Sequence, residues 1–357
     1  MTILWLSLLV VFLCAIFARY FSVSTSAGLT SIQPNKVLAA GAALTLVLVA
    51  GLRNNIGDTV FYIHSYRVDD FSWGSIIQKK DIGFGLLQML LKQISNDPQI
   101  LLFVTAMITN LLIVAVLYKY SRQLDLSLYI YITSGAFIVS MNGVRQFLAA
   151  AMVFAVTKSL FDGKWKTYML VVLFASFIHQ SALIMIPLYF IVRRKAWTGV
   201  TFLFLFLAIL VVMGFQQFSE LLFSALKDTQ YGDYASFEEG GASVLRVIVL
   251  GLPLIIAFLG REKLRLIFPK SDIIVNLTIV GFALMVISTQ NWIFARMNIY
   301  FSLYQLILIG WLVKVFRPKD QKFIYLAILV FYFLYFYFEN EMILGLRYTS
   351  DYLVWPF

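Results

Sequence analysis

A few ionisable side chains stand where an apolar chain would not ordinarily keep them. Arg53 and Asp58 close an apolar run in Gly51-Leu52-Arg53-Asn54-Asn55-Ile56-Gly57-Asp58. Arg145 and Gln146 follow the short turn Asn142-Gly143, and Arg296 follows Asn291-Trp292. His179, in Phe177-Ile178-His179-Gln180-Ser181, interrupts another apolar run. Charge near a bilayer core is expensive, so each such residue invites a functional reading. Guanidinium groups bind phosphate oxygens through a planar set of donors. They could neutralise a departing diphosphate. Histidine titrates near neutral pH and suits proton abstraction from a sugar hydroxyl. Asp58 could orient that base or replace it, and Tyr62 shares its face if a helix starts at Asp58. Aromatic side chains suit sugar faces and lipid tails. Together these groups fit a polyprenyl-diphosphate-linked sugar. The structural alternatives are arginines that snorkel to an interface and a histidine that hydrogen-bonds between helices.

The elements that must carry these residues are membrane helices. The chain has 357 residues, of which 61% are hydrophobic and 13% charged, against about 25% charged in soluble domains. That much apolar surface must face lipid. Candidate spans are Ile3–Phe21, Lys36–Leu52, Gln99–Tyr118, Leu126–Met141, Val144–Phe161, Lys166–Ile178, Ser181–Val192, Thr198–Phe215, Ser243–Leu259, Ile273–Ser288, Met297–Val315 and Phe323–Phe338. About twelve passes follow, two of them short, in one transmembrane domain covering residues 1–357. The N-terminal run lacks a basic start and a clear cleavage site, and is expected to remain as the first span.

Charge sorts the loops. Lys119/Arg122, Lys164/Lys166, Arg193/Arg194/Lys195, Arg261/Lys263/Arg265/Lys270 and Arg317/Lys319/Lys322 are basic, which predicts a cytoplasmic position. The loop 216–242 carries Glu220, Asp228, Asp233, Glu238 and Glu239 and is expected on the other side. Residues 52–98 form a second extracytoplasmic segment, in which Asp81–Ser95 reads as an amphipathic helix with Phe84, Leu87, Leu91 and Ile94 on one face. The run Lys166–Val192 has basic residues at both ends. One crossing would invert every later loop, so it must cross twice, with a break at Ile178–Ser181. Each arm then reaches only ~20 Å at about 1.5 Å per residue, short of the ~30 Å hydrocarbon core. His179 therefore belongs in a cavity below the outer surface, because broken backbone at that depth must be buried or wetted.

Several function classes are disfavoured. The net charge of +10 reflects basic loops, with no basic and aromatic surface for nucleic acid. The single cysteine, Cys14, excludes a disulfide framework. No zinc spacing or phosphate-binding loop is present. Asp69-Asp70 alone is a weak metal signal on the wrong side for a nucleotide donor. A flippase or other transporter would more often show internal repeats. A membrane acyltransferase would place its histidine near a cytoplasmic donor. A ligase that transfers O-antigen to lipid A core would share the donor chemistry.

The order Gly51-Leu52-Arg53, Gly57-Asp58, Tyr62, Asp81-Ile82-Gly83-Phe84, Arg145-Gln146 and His179-Gln180-Ser181-Ala182 with Pro187 resembles the EpsG-like branch of Wzy-type polysaccharide polymerases. Asp81 departs from the pattern, where Glu is expected; it keeps the charge and shortens the reach. The resemblance implies a GT-C-like helical fold in the bacterial inner membrane and no metal or other cofactor. It implies joining of undecaprenyl-diphosphate-linked oligosaccharide repeats into O-antigen, capsule or exopolysaccharide on the outer leaflet. A flippase and a chain-length regulator are the implied partners. His179 and Asp58 are then the candidate catalytic residues. Arg53, Arg145, Arg296, Tyr62, Asp81 and Gln146 are the candidate substrate-binding residues.

Overall fold

The computed structural model describes residues 1–24, 30, 32–225 and 240–353. The described chain is almost entirely helical, with one two-stranded pairing of Val23–Ser24 and Ile32–Gln33. Among the described residues three helices are long and apolar enough to cross a membrane: Thr2–Tyr20, Gln99–Tyr120 and Gln321–Ile343. Counting each bent pair of helices as one span raises this to six. The other apolar helices are shorter, 10–17 residues. Leu126–Met141, expected as one span, is two helices, Leu124–Thr133 and Ala136–Asn142, bent by 54°. The bend sits at Gly135, whose φ of +84° no helix accepts.

Local chemistry sets several boundaries. Asn35 caps Lys36–Gly51 by accepting the Val37 and Leu38 N–H groups. That helix packs on Thr2–Tyr20 through Ala15, Ala18, Ala39, Ala42 and Ala43, all buried. Small side chains allow helices to approach where no hydrophobic force separates lipid from protein. Leu124–Thr133, Val144–Ala155 and Ile299–Leu312 are buried almost all round. They form the centre of the bundle. By contrast Gly199–Met213 exposes Phe202, Leu203, Phe206, Leu207 and Leu210, the pattern of a lipid-facing helix.

The basic loops meet at one end of the bundle. Arg19 pairs with Asp125 at 2.9 Å, Lys270 donates to the Phe161 carbonyl, and Lys263 donates to that of Phe316. Arg265 joins Asp272 and the Ala196 carbonyl.

The run around His179 folds back on itself. Trp165–Ile178 ends at His179, whose backbone is extended, and a 3-10 turn Gln180–Ile184 leads into Met185–Val192. Arg193 donates to the Leu160 carbonyl, so the two ends of the run meet. Tyr168 and Tyr189 face each other at 5.1 Å along the way. His179 thus lies at the far tip, away from the basic loops.

Residues 52–98 hold the helices Thr59–Val68, Trp73–Ile77 and Ile82–Ile94. Ile82–Ile94 is amphipathic as expected, burying Phe84 and Leu91, but Ile94 is exposed rather than on the packed face. Glu220 lies on the helix Phe215–Ala225. Asp228, Asp233, Glu238 and Glu239 of the acidic loop lie outside the described residues.

Candidate active site

The end of the bundle opposite the basic loops holds a cavity of about 940 Å³. Separate stretches of chain build its wall: the Asp58–Ser65 turn of helix, Lys79–Gln88, Gly143–Gln146, His179, and Trp292–Met297. Arg145 and Gln146 open the buried helix Val144–Ala155, and Arg296 sits just before the buried helix Ile299–Leu312. The cationic groups are therefore mounted at the ends of two buried helices.

Asp58 is placed by a tight turn. Gly57 has φ +53°, and a Cβ there would lie 2.1 Å from Asn142 Oδ1. Only glycine fits both the left-handed backbone and that approach. Asn142 Oδ1 then accepts the Asp58 N–H at 2.9 Å. Asp58 precedes Thr59–Val68, and its carbonyl accepts the Tyr62 N–H, so Asp58 and Tyr62 do share a face.

Two arginine–aspartate pairs occupy the cavity. Arg145 Nη1 donates to Asp81 Oδ2 at 2.8 Å, and Arg296 Nη2 to Asp58 Oδ2 at 3.2 Å. Their environments differ. The Asp81 side chain is 4% exposed and that of Asp58 41%. Asp81 also accepts the Gln180 N–H at 3.3 Å, so it ties the amphipathic helix to the turn that carries His179. Gly83 makes this possible: a Cβ there would come within 2.9 Å of the Phe177 carbonyl carbon and oxygen. With the two segments this close, the short reach of Asp suffices where Glu was expected. Burial raises the Asp81 carboxyl above its ordinary range, while Arg145 and the Gln180 N–H pull the other way.

His179 is half-buried and belongs to a hydrogen-bonded group behind the cavity wall. Its Nδ1 lies 3.4 Å from the Ser181 N–H and 3.3 Å from Ser181 Oγ. Ser181 Oγ is 2.8 Å from Tyr300 Oη. Gln146 Nε2 donates to the Arg296 carbonyl at 3.0 Å and to Ser181 Oγ at 3.4 Å.

Arg53 is placed elsewhere. It is 1% exposed, and its guanidinium donates to Thr59 Oγ1, the Ala50 carbonyl and the Met141 carbonyl. It does not line the large cavity. It joins Ala50 and Thr59, on either side of the Gly57 turn, to Met141. Arg246 is likewise apart, paired with the buried Glu339 at 2.5 Å.

The profile of the EpsG family matches residues 36–348. The chain belongs to the EpsG family. This family is associated with polysaccharide biosynthesis. No curated protein and no solved structure matches the chain. In this EpsG-family protein the cavity brings together Asp58, Tyr62, Asp81, Arg145, Gln146, His179 and Arg296 from distant parts of the sequence. It adds Asp69, Lys79, Lys80 and Trp292, which sequence reading had not assigned to a substrate site. Lys79 pairs with Asp69 at 3.0 Å. The Ser65 hydroxyl, and then Lys79, hold the Asp69 carboxyl below its ordinary range. Trp292 lies against the Arg296 guanidinium at 5.1 Å. Among the described residues no three His, Cys, Asp or Glu side chains converge as a metal site would require.

Proposed function

We propose that this EpsG-family protein polymerises undecaprenyl-diphosphate-linked oligosaccharide repeats by glycosyl transfer on the outer leaflet of the bacterial inner membrane. One observation carries the reading. Arg145, Arg296, His179 and Asp58 converge in one cavity at the end of the bundle opposite the basic loops. The positive-inside rule puts that end outside. Arg145 and Arg296 take the diphosphate of the donor, and their charge stabilises the leaving group as it departs. Tyr62, Phe61 and Trp292 offer apolar faces to the sugars. Gln146 and Asp81 hold Arg296 and Arg145 in place. Either His179 or Asp58 accepts the proton of the attacking hydroxyl. About twelve passes in a GT-C-like arrangement fit the apolar runs. A flippase supplies the substrate and a chain-length regulator limits the product. The pathway leads to O-antigen, capsule or exopolysaccharide.

The test is reconstitution. The purified protein in lipid nanodiscs, given synthetic undecaprenyl-diphosphate-linked repeats alone, should produce a ladder of longer lipid-linked chains. A preparation that moves the lipid-linked sugar across a bilayer but never lengthens it would make it a transporter. In cells that ligate polymer to lipid A core, deletion should leave a single repeat on the core, whereas loss of a ligase would leave none.

A further inference from the structure

The hydrogen bonds around His179 decide which of the two candidate bases takes the proton. We infer that His179 presents a protonated Nε2 to the cavity and serves as a hydrogen-bond donor to the diphosphate, and that Asp58 is the base. This rests on the polymerase reading and deepens it.

The argument begins with an obligatory donor. A backbone N–H can only donate. The Ser181 N–H, at the start of the 3-10 turn, points to His179 Nδ1, which caps that turn. Nδ1 must therefore offer a lone pair. A neutral imidazole with an accepting Nδ1 carries its hydrogen on Nε2. The side chains behind it complete the pattern. The Arg296 carbonyl can only accept, so it fixes the Gln146 amide nitrogen toward itself. The same nitrogen then donates to Ser181 Oγ. When Tyr300 donates its hydroxyl hydrogen to Ser181 Oγ as well, the Ser181 hydroxyl hydrogen is left for His179 Nδ1. Gln146, Ser181 and Tyr300 are all buried, at 6%, 8% and 2% exposure, which shields this arrangement from exchange with water. They are positioning residues, which act through the ring's tautomer.

An Nε2–H cannot abstract a proton while Nδ1 is engaged as an acceptor. Of the three carboxylates that line the cavity, Asp81 is buried against Arg145 and Asp69 is paired with Lys79, which leaves Asp58. Asp58 is 41% exposed and bound to Arg296 at 3.2 Å. In the step that follows, the acceptor sugar's hydroxyl oxygen forms a bond to the donor's anomeric carbon. The hydroxyl proton passes to the Asp58 carboxylate. The bond from the anomeric carbon to the diphosphate oxygen breaks, and undecaprenyl diphosphate leaves with that electron pair. Arg145, Arg296 and the His179 Nε2–H face the charge it gains.

The histidine content makes the test clean. The chain has only two histidines, and His64 is exposed on Thr59–Val68. Nitrogen-15 NMR of histidine-labelled protein in nanodiscs, with a His64→Gln variant to assign the signals, distinguishes a protonated ring nitrogen from a bare one. The expected result is a bare Nδ1 and a protonated Nε2 in the wild type, with that tautomer less populated in Ser181→Ala with Tyr300→Phe, where only the backbone N–H at position 181 still donates to Nδ1. In the polymerisation assay, His179→Gln keeps an N–H donor and should stay within about tenfold of wild type. His179→Ala should lose about 10- to 100-fold, the worth of a hydrogen bond to a charged group. Asp58→Asn should lose at least about 100-fold, the worth of a general base. A protonated Nδ1 would overturn the inference. So would a folded His179→Gln as inactive as His179→Ala, or an active Asp58→Asn. The NMR result stands apart from activity, so a protein that never polymerises would refute the polymerase reading without touching the tautomer.

Discussion

Replacing Asp81 with Asn separates the charge of this residue from its shape. Asn keeps the volume and an oxygen for the Gln180 N–H, but Arg145 loses the carboxylate at 2.8 Å. The stability change is expected to be small. Burial is the largest influence on the Asp81 carboxyl and raises it, even with Arg145 acting in the opposite direction. The ion pair therefore does not offset the desolvation of the carboxylate. The sign follows from linkage. A carboxyl raised in the folded state binds more protons folded than unfolded. Its contribution to stability is fully present below the unfolded value near ~3.9 and is lost as pH rises through the folded value. At neutral pH the ionised Asp81 is a net cost. The arginine left behind is 44% exposed and can be hydrated, so losing the pair costs about 0–1 kcal/mol. The apparent unfolding temperature should move by less than about 3 °C. Activity should respond far more. An electrostatic contact to a developing charge is worth about 10²–10³ in rate. If Asp81 is what aims Arg145, the variant should lose about 100-fold in kcat for chain extension. The assay is extension of a lipid-linked repeat by purified variant and wild type, beside thermal unfolding of both. Full activity in Asp81→Asn would refute the role of Asp81 as the tether, and so would a loss that merely tracked unfolding.

The remaining predictions use the same two measurements. Arg145→Lys keeps the charge but not the planar fork, and should lose at least about tenfold in chain extension; equal activity would make Arg145 a point charge only. Gly57→Ala forces a Cβ onto Asn142 Oδ1 at φ +53° and should destabilise the protein by about 1–3 kcal/mol, with activity falling as the Asp58 turn shifts. Arg53→Met leaves the Ala50 and Met141 carbonyls without their donor. It should lower the unfolding temperature strongly, by about 1–3 kcal/mol per orphaned group, while donor affinity per folded molecule is unchanged.

Arg145, Arg296 and His179 were legible in the sequence because a charge or a ring nitrogen is conspicuous among apolar residues. The fold-back at His179 was legible because basic residues flank that run on both sides, and the meeting of Arg193 with Leu160 agrees with it. Arg53 carried the same signature for a different reason. A guanidinium that gathers carbonyls at helix ends looks, in one dimension, like one that waits for phosphate. The difference lies in Met141, far along the chain, whose carbonyl it binds. Lys79 and Lys80 gave no signal, and Asp69 only a weak metal signal, because they lie in a polar stretch where charge is cheap. Ser181 and Tyr300 were hidden for the same tertiary reason as Met141: their contact joins residues 119 apart. The bend at Ser134-Gly135 was available as a breaker dipeptide, but continuous hydrophobicity around it favoured a single span.

The two ion pairs of the cavity also bear on how a polymerase of this kind would rest between turnovers. Bare guanidinium groups in a part-buried site carry a desolvation cost and attract stray anions, and a resident carboxylate relieves both. Asp81 is locked by two partners and by burial, so it should stay with Arg145 throughout. Asp58 is the exchangeable one, exposed and attached to Arg296 through a longer contact. On the proposed reaction, an arriving diphosphate oxygen takes the place of Asp58 on Arg296. The carboxylate is then released at the moment a base is needed, and a site without donor keeps it paired with Arg296. The consequence is an ordered reaction, donor before acceptor. It can be read from a structure with an undecaprenyl-diphosphate analogue bound, in which Asp58 should have left Arg296 while Asp81 remains on Arg145. An analogue-bound site with the Asp58–Arg296 pair intact would remove the exchange from the mechanism.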